Sequence, residues 1–375
     1  MQGWRRALLW GMLAAKLWGG WGLTWDIRWH LLIGRDSFWI PPHLLIYSAV
    51  VVVLALCLAT LARETLLALH GGPAPGSVRR FGLLGTPGTH LACWGLVVTL
   101  LAAPIDDLWH RLFGLDVTLW SPPHLLGLTG SQINSAGCLL LAVEAYPPDH
   151  SARRFALLLG GAIFFGTFHL LLRTSLLWAY EQGGLAFFYY PLLGALLLPV
   201  ALVPVARLSA SRWAPAVVVA LAVVIDLVGG GIARAGFDFL KPTPAIEEAL
   251  AREPASPIAT FHRIAKENGT PAVTYTGNAR AIMLAFLPAL ALCLVDARRR
   301  AVLATLAFAA AYFALVSWHL AQLPAFRSRL PAAPEIAVGI ALVLIAGALG
   351  GIIGRWLGSA LARPPAYGII GAAHD

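Results

Sequence analysis

The sequence predicts an all-α, polytopic integral membrane protein of about ten transmembrane helices, and three observations carry that prediction. Hydrophobic residues fill 59% of the 375 positions and charged residues 12%, with a mean hydropathy of +0.75, far from the balance of a soluble domain. Apolar runs long enough to cross a hydrocarbon core of about 30 Å recur along the whole chain. The basic residues behind the net charge of +9 fall in short segments between those runs. That distribution orients a membrane protein and gives no reason to expect a nucleic-acid partner.

The first run, 7–30, follows a basic start, MQGWRRALLWGMLAAKLWGGWG, built like a signal peptide. Lys16 interrupts it and no clear A-x-A site follows, so it reads as a retained first helix. Runs at 42–63, 88–110 and 122–145 complete a four-helix membrane region over 1–150. Six more, at 155–178, 187–206, 213–234, 280–296, 301–323 and 335–354, make a second region over 151–375. The loops HGGPAPGSVRR and YPPDHSARR are ordinary linker chemistry. The longer segment 235–278 holds much of the acidic charge and predicts two short surface helices. TPAIEEALAREP offers Thr243 as a cap with Pro244 at the first helical position. SPIATFHRIAKENG offers Ser256 and Pro257 in the same roles and an end at Asn268-Gly269. An amphipathic connector is the plain reading of this segment, and a lid over the outer mouth is the alternative.

If the helices alternate, Arg5, Arg6, Arg63, Arg79, Arg80, Arg153, Arg154, Arg207, Arg212, Arg298, Arg299, Arg300 and Arg355 share one side. Only Arg327 and Arg329 oppose them. The positive-inside rule then places both termini in the cytoplasm and 235–278 outside. Cys57, Cys93, Cys138 and Cys293 lie inside predicted spans without C-x-x-C spacing and read as packing residues.

An internal repeat concentrates the polar residues. DIRWHLLIGRDSFWIPPHLL, from residue 26, is echoed by DDLWHRLFGLDVTLWSPPHLL, from residue 106, as in a duplicated helical hairpin. Residues four apart share a helix face, so Asp26 with His30, and Asp106 with His110, each present a carboxylate beside an imidazole. Pro-Pro then fixes the backbone entering the next helix, Ser121 stands at the cap position of the second copy, and His43 or His124 falls in the first turn. Two imidazoles and one carboxylate suit Cu(II), Fe(II), Zn or Ni rather than Mg or Ca. One such pair alone reads as a helix end decorated with interface residues, Trp25, Trp29, Trp39, Trp109 and Trp120 among them. Two copies with the same distal Pro-Pro-His favour metal ligation.

The spacings, plus four then plus thirteen for Asp26, His30 and His43, and plus four then plus fourteen for Asp106, His110 and His124, resemble the two copper-site hairpins of a membrane subunit of the copper membrane monooxygenases, the particulate methane and ammonia monooxygenase family. Trp29 before His30, the Arg35-Asp36 pair, Pro41 and Pro122 agree with that family's pattern. The resemblance spans residues 20–130, and position 106 holds Asp where the family has Asn. It implies copper at both triads, with zinc or iron as alternatives. Arg35, Asp36 and Asp116 would support the ligands. It also implies a bacterial inner-membrane setting, an electron donor, partner membrane subunits, and oxidation of a small apolar substrate by dioxygen. A metal-handling protein that moves copper or zinc, and a purely structural membrane component, are the other readings. His169, Asp226 and His319, ionisable groups inside predicted spans, are additional functional candidates; for Asp226 a simple pairing with Arg173 or Arg234 is the alternative.

Overall fold

A computed structural model describes residues 2–34, 37–113 and 118–362, with the side chain of His110 outside the described set. The chain is helical almost throughout. It begins with α1 (Gln2–Leu32), α2 (Pro41–Gly71), α3 (Pro87–Phe113) and α4 (Pro122–Ala145). Next come α5 (Ser151–Leu172), the short α6 (Ser175–Gln182), α7 (Tyr189–Leu208) behind a 3-10 turn, and α8 (Ala214–Leu240). Three small helices follow, α9 (Ile246–Arg252), α10 (Pro257–Glu267) and α11 (Gly277–Met283), then α12 (Phe286–Val295), α13 (Ala301–Gln322) and α14 (Ala333–Ala362).

Nine helical segments among the described residues are long and apolar enough to cross a membrane, α5–α6 and α11–α12 each counting as one. This is an integral membrane protein. The first expected span, α1, is not among the nine: at 31 residues it has the length, but its charges lower its apolarity. Those charges are met by neighbouring helices. Arg5 makes a two-pronged ion pair with Glu64 of α2, at 2.8 and 2.9 Å, and Lys16 donates to the Ser131 carbonyl of α4 at 3.2 Å. Buried and paired in this way, α1 packs against α2, α4 and α8, so its polar residues are held away from lipid.

Three details differ from the sequence reading. The expected linker HGGPAPGSVRR runs into a small antiparallel hairpin of β1 (Val78–Arg80) and β2 (Leu83–Gly85), because Phe81 and Gly82 both take positive φ, 48° and 80°, as a tight two-residue hairpin turn requires. The first surface helix starts at Ile246 with Ala245 at its cap, not at Thr243-Pro244. The Ala245 amide is drawn out to the Ile33 carbonyl at 2.8 Å, and the helix begins only after that contact. The run expected as one helix over 280–296 is broken at Leu284–Ala285 between α11 and α12. The second surface helix follows expectation. Ser256 Oγ accepts from the Ala259 amide at 3.3 Å, and the helix ends at Asn268 before Gly269 with φ +64°.

The segment 235–278 does more than connect. Ile246 and Ile258 pack on Leu31, and His262 Nε2 donates to the Leu31 carbonyl at 3.0 Å. The segment is therefore seated on the C-terminal end of α1, where the first hairpin turns.

Candidate metal centre

In each copy of the sequence repeat the described residues include a helix end and the start of the next helix, opened by two prolines. In the first, Pro41 and Pro42 occupy the first helical positions of α2 behind Ile40, which is extended (φ −64°, ψ 149°); proline costs nothing there because those amides lack intrahelical acceptors. His43 is thereby held in the first turn, facing the last turns of α1. His43 Nε2 lies 3.1 Å from Asp26 Oδ1, and His30 Nε2 lies 3.6 Å from the same oxygen. The ligand atoms of the three residues all fall within 4.8 Å of one another. A metal bonded at about 2.1 Å to each keeps its ligands roughly 3 to 3.6 Å apart, and the two measured nitrogen-to-oxygen separations match that spacing.

Asp26 Oδ1 is buried and accepts no hydrogen bond, even with two imidazole nitrogens beside it. A buried carboxylate oxygen without a donor is costly, and a cation shared with the two nitrogens removes that cost. Two nitrogens and one oxygen form a donor set for Cu(II), Fe(II), Zn or Ni, so the residues fit the metal that the hairpin pattern implies. On one flank Tyr47, one helical turn beyond His43, places its hydroxyl 3.5 Å from His43 Nδ1. Trp25 and Trp29, the residues before Asp26 and His30 on α1, pack against Phe237 of α8, with ring centroids 6.1 and 5.8 Å apart, forming an apolar wall. At the hairpin tip Phe38 and Trp39 are exposed, as aromatic anchors at a membrane interface are.

The second copy of the sequence repeat has different support. Pro122 and Pro123 open α4 behind Ser121, which holds the cap position without a side-chain cap bond. His124 Nε2 lies 3.4 Å from Asp106 Oδ1. His124 Nδ1 lies 2.8 Å from the Thr118 carbonyl, an oxygen that can only accept, so Nδ1 carries a proton. Nε2 then faces the carboxylate either as a lone pair, which calls for a cation between them, or as an imidazolium N–H. Asp107, the neighbouring carboxylate, is engaged by Arg111 at 2.6 Å, leaving Asp106 as the one turned toward His124. This hairpin is more open, its paired side chains 30% and 32% exposed against 14–17% in the first. The His110 side chain, Arg35, Asp36 and Asp116 lie outside the described residues.

The remaining polar candidates stand apart from the triad. His169 of α5 is fully buried, its Nε2 3.2 Å from the Tyr190 hydroxyl of α7. Asp226 of α8 pairs with neither arginine considered for it: its Oδ1 accepts from Asn278 Nδ2 of α11 at 2.5 Å. Arg234 instead approaches Asp238 at 3.9 Å, and Arg173 lies over the Phe261 ring at 5.7 Å. His319 is half-buried on α13. Tyr47 and the Thr118 carbonyl were missed in the sequence. The plus-four spacing from His43 to Tyr47 was a readable signal, whereas a main-chain oxygen leaves none.

Comparison with protein-family models, with curated proteins and with solved structures gives no match to this chain.

Proposed function

We propose that the chain is a copper-binding membrane protein related to the copper-site subunit of the membrane monooxygenases, with Asp26, His30 and His43 holding one metal and Asp106, His110 and His124 a second. The observation that carries this reading is the donorless Asp26 Oδ1 between two imidazole nitrogens. Zinc or iron would suit the same donors. When bound, copper supplies one-electron redox chemistry with dioxygen. The protein's own part is positional: Asp26 offsets the metal's charge, Tyr47 orients His43, and the Trp25–Trp29–Phe237 wall limits water on one side. In this reading the chain crosses the bacterial inner membrane about ten times, α1 included, with both termini cytoplasmic. It works with other membrane proteins and an electron donor on a small apolar substrate.

A second reading, metal handling without catalysis, draws on the openness of the second hairpin and on its two-carboxylate end, Asp106 and Asp107. Metal analysis of purified protein beside a His30→Ala/His43→Ala/His110→Ala/His124→Ala variant tests both, with about two equivalents expected to be lost. Equal metal content in the two proteins would refute both readings. Oxygen uptake with substrate and an electron donor then separates them, since metal bound without oxygen consumption selects handling.

A further inference from the structure

The small hairpin of β1 and β2 takes no part in the metal centre, yet it is firmly seated. In β2 the Leu84 amide donates to Thr65 Oγ1 of α2 at 2.8 Å. In β1 the Val78 carbonyl accepts from His90 Nε2 of α3 at 3.2 Å. Each strand is thus tied to a different membrane-spanning helix, and Gly85 lies so close to α2 that a Cβ there would stand 2.4 Å from Leu61 Cδ2.

What this hairpin presents outward does not suit water. Phe81, at the tip, is 82% exposed, and Leu83 beside it is exposed as well. The Phe81 ring meets Trp94 of α3 edge-on, with centroids 4.8 Å apart, and Trp94 is itself exposed. Because Trp94 stands two turns inside a membrane-spanning helix, its exposed face meets lipid near the level where tryptophans gather. An aromatic fixed against that face meets lipid too. The same turn carries two exposed cations, Arg79 and Arg80. Arg79 donates to the Gly82 carbonyl at 2.9 Å, which keeps its guanidinium at the tip, and the ion pairs of arginines among the described residues all involve other side chains.

We propose that the tip of this hairpin and the outer face of α3 form a binding site for an anionic phospholipid. The lipid phosphate takes the guanidiniums of Arg79 and Arg80, whose planar forks match phosphate oxygens. Its glycerol and upper acyl chains lie on Phe81, Leu83 and Trp94. Charge and depth select this occupant together. A soluble acidic partner would satisfy the arginines but not an aromatic surface fixed at lipid depth, and a zwitterionic lipid would cover the aromatics but leave two cations without a net counter-charge. The site is independent of the metal hairpins, which lie at the opposite ends of α2 and α3.

The test is native mass spectrometry of the full-length protein in detergent, titrated with phosphatidylglycerol or with phosphatidylcholine. Wild type should hold phosphatidylglycerol at least about tenfold more tightly. Arg79→Gln/Arg80→Gln should weaken it about 25-fold, since each cation near an anionic surface contributes about fivefold. Unchanged affinity in that variant overturns the proposal, and so does an equal loss from Arg299→Gln/Arg300→Gln, exposed residues of a basic turn elsewhere in the chain. A spin label at Phe81→Cys, in nanodiscs of phosphatidylglycerol, gives a second measurement that does not depend on removing the arginines. The label should collide more with oxygen than with a water-soluble nickel chelate. The reverse result places the tip in water, open to a soluble partner, and overturns the lipid site.

Discussion

At the scale of single residues, Asp26 and Tyr47 make the hairpin reading testable because they act differently. Asp26 contributes charge as well as an oxygen. Asp26→Asn keeps the shape but removes the charge that offsets a dication, so metal affinity at the first hairpin should fall at least about 100-fold, measured by competition with a chelator. A helix-end carboxylate with no metal role would leave that affinity unchanged. Tyr47 reaches the far nitrogen of His43, so Tyr47→Phe should retain one equivalent at the first hairpin and weaken it about tenfold. The electron-paramagnetic resonance spectrum of bound Cu(II) should shift, a readout that a merely structural tyrosine would not move. Asp26, His30 and His43 were legible in the sequence because helix period and proline stiffness are local rules. Tyr190 beside His169, and Asn278 beside Asp226, were not, since those pairs are set by how distant helices pack.

At the scale of elements, the end of α1 meets the start of α9, and Gly34 is where they touch. Its φ is +71°, and a Cβ there would stand 2.7 Å from the Ile246 Cα, a main-chain atom that cannot swing aside. Gly34→Ala should therefore cost about 1–3 kcal/mol and loosen α9 and α10 from α1; limited proteolysis should show faster cleavage within 241–256. The Thr243-Pro244 start failed for the same reason, since the contact from Ala245 to Ile33 is long-range and invisible to capping rules. The turn between α12 and α13 offers a pH test. Asp296 takes φ +61° and accepts from Arg298 Nε and Nη2 at 2.8 Å each. This pairing, opposed in part by burial, holds its carboxyl down at about 2, with Arg299 adding a smaller pull. A folded-state value below the unfolded one means stability that is present above the usual carboxylate range, near pH 4, and lost as pH falls toward about 2. The melting temperature of wild type should exceed that of Asp296→Asn at about pH 6, and the gap should close between about pH 4 and 2.

At the scale of the whole molecule, the hydropathy pattern specified nearly every span because about twenty apolar residues in a row can do little else, while α1 shows the limit of that rule. Its partners Glu64 and Ser131 lie far along the chain, so its place inside the bundle follows from packing and not from its own composition. If α1 crosses with the nine apolar segments, the number of crossings is even and both ends of the chain share a side. The turns rich in arginine then face the cytoplasm and 235–278 faces outward. The native cysteines are buried, so single cysteines placed in exposed loops report sidedness against a low background. Asp149, between α4 and α5, and Ala255, between α9 and α10, are exposed. In intact spheroplasts a membrane-impermeant maleimide should label Ala255→Cys at once and Asp149→Cys only after permeabilisation. Labelling of both from outside would mean that α5–α6, α7 and α8, the three segments between them, do not all cross. Labelling of Asp149→Cys alone would invert the molecule and place both repeated Pro-Pro-His hairpins on the cytoplasmic face.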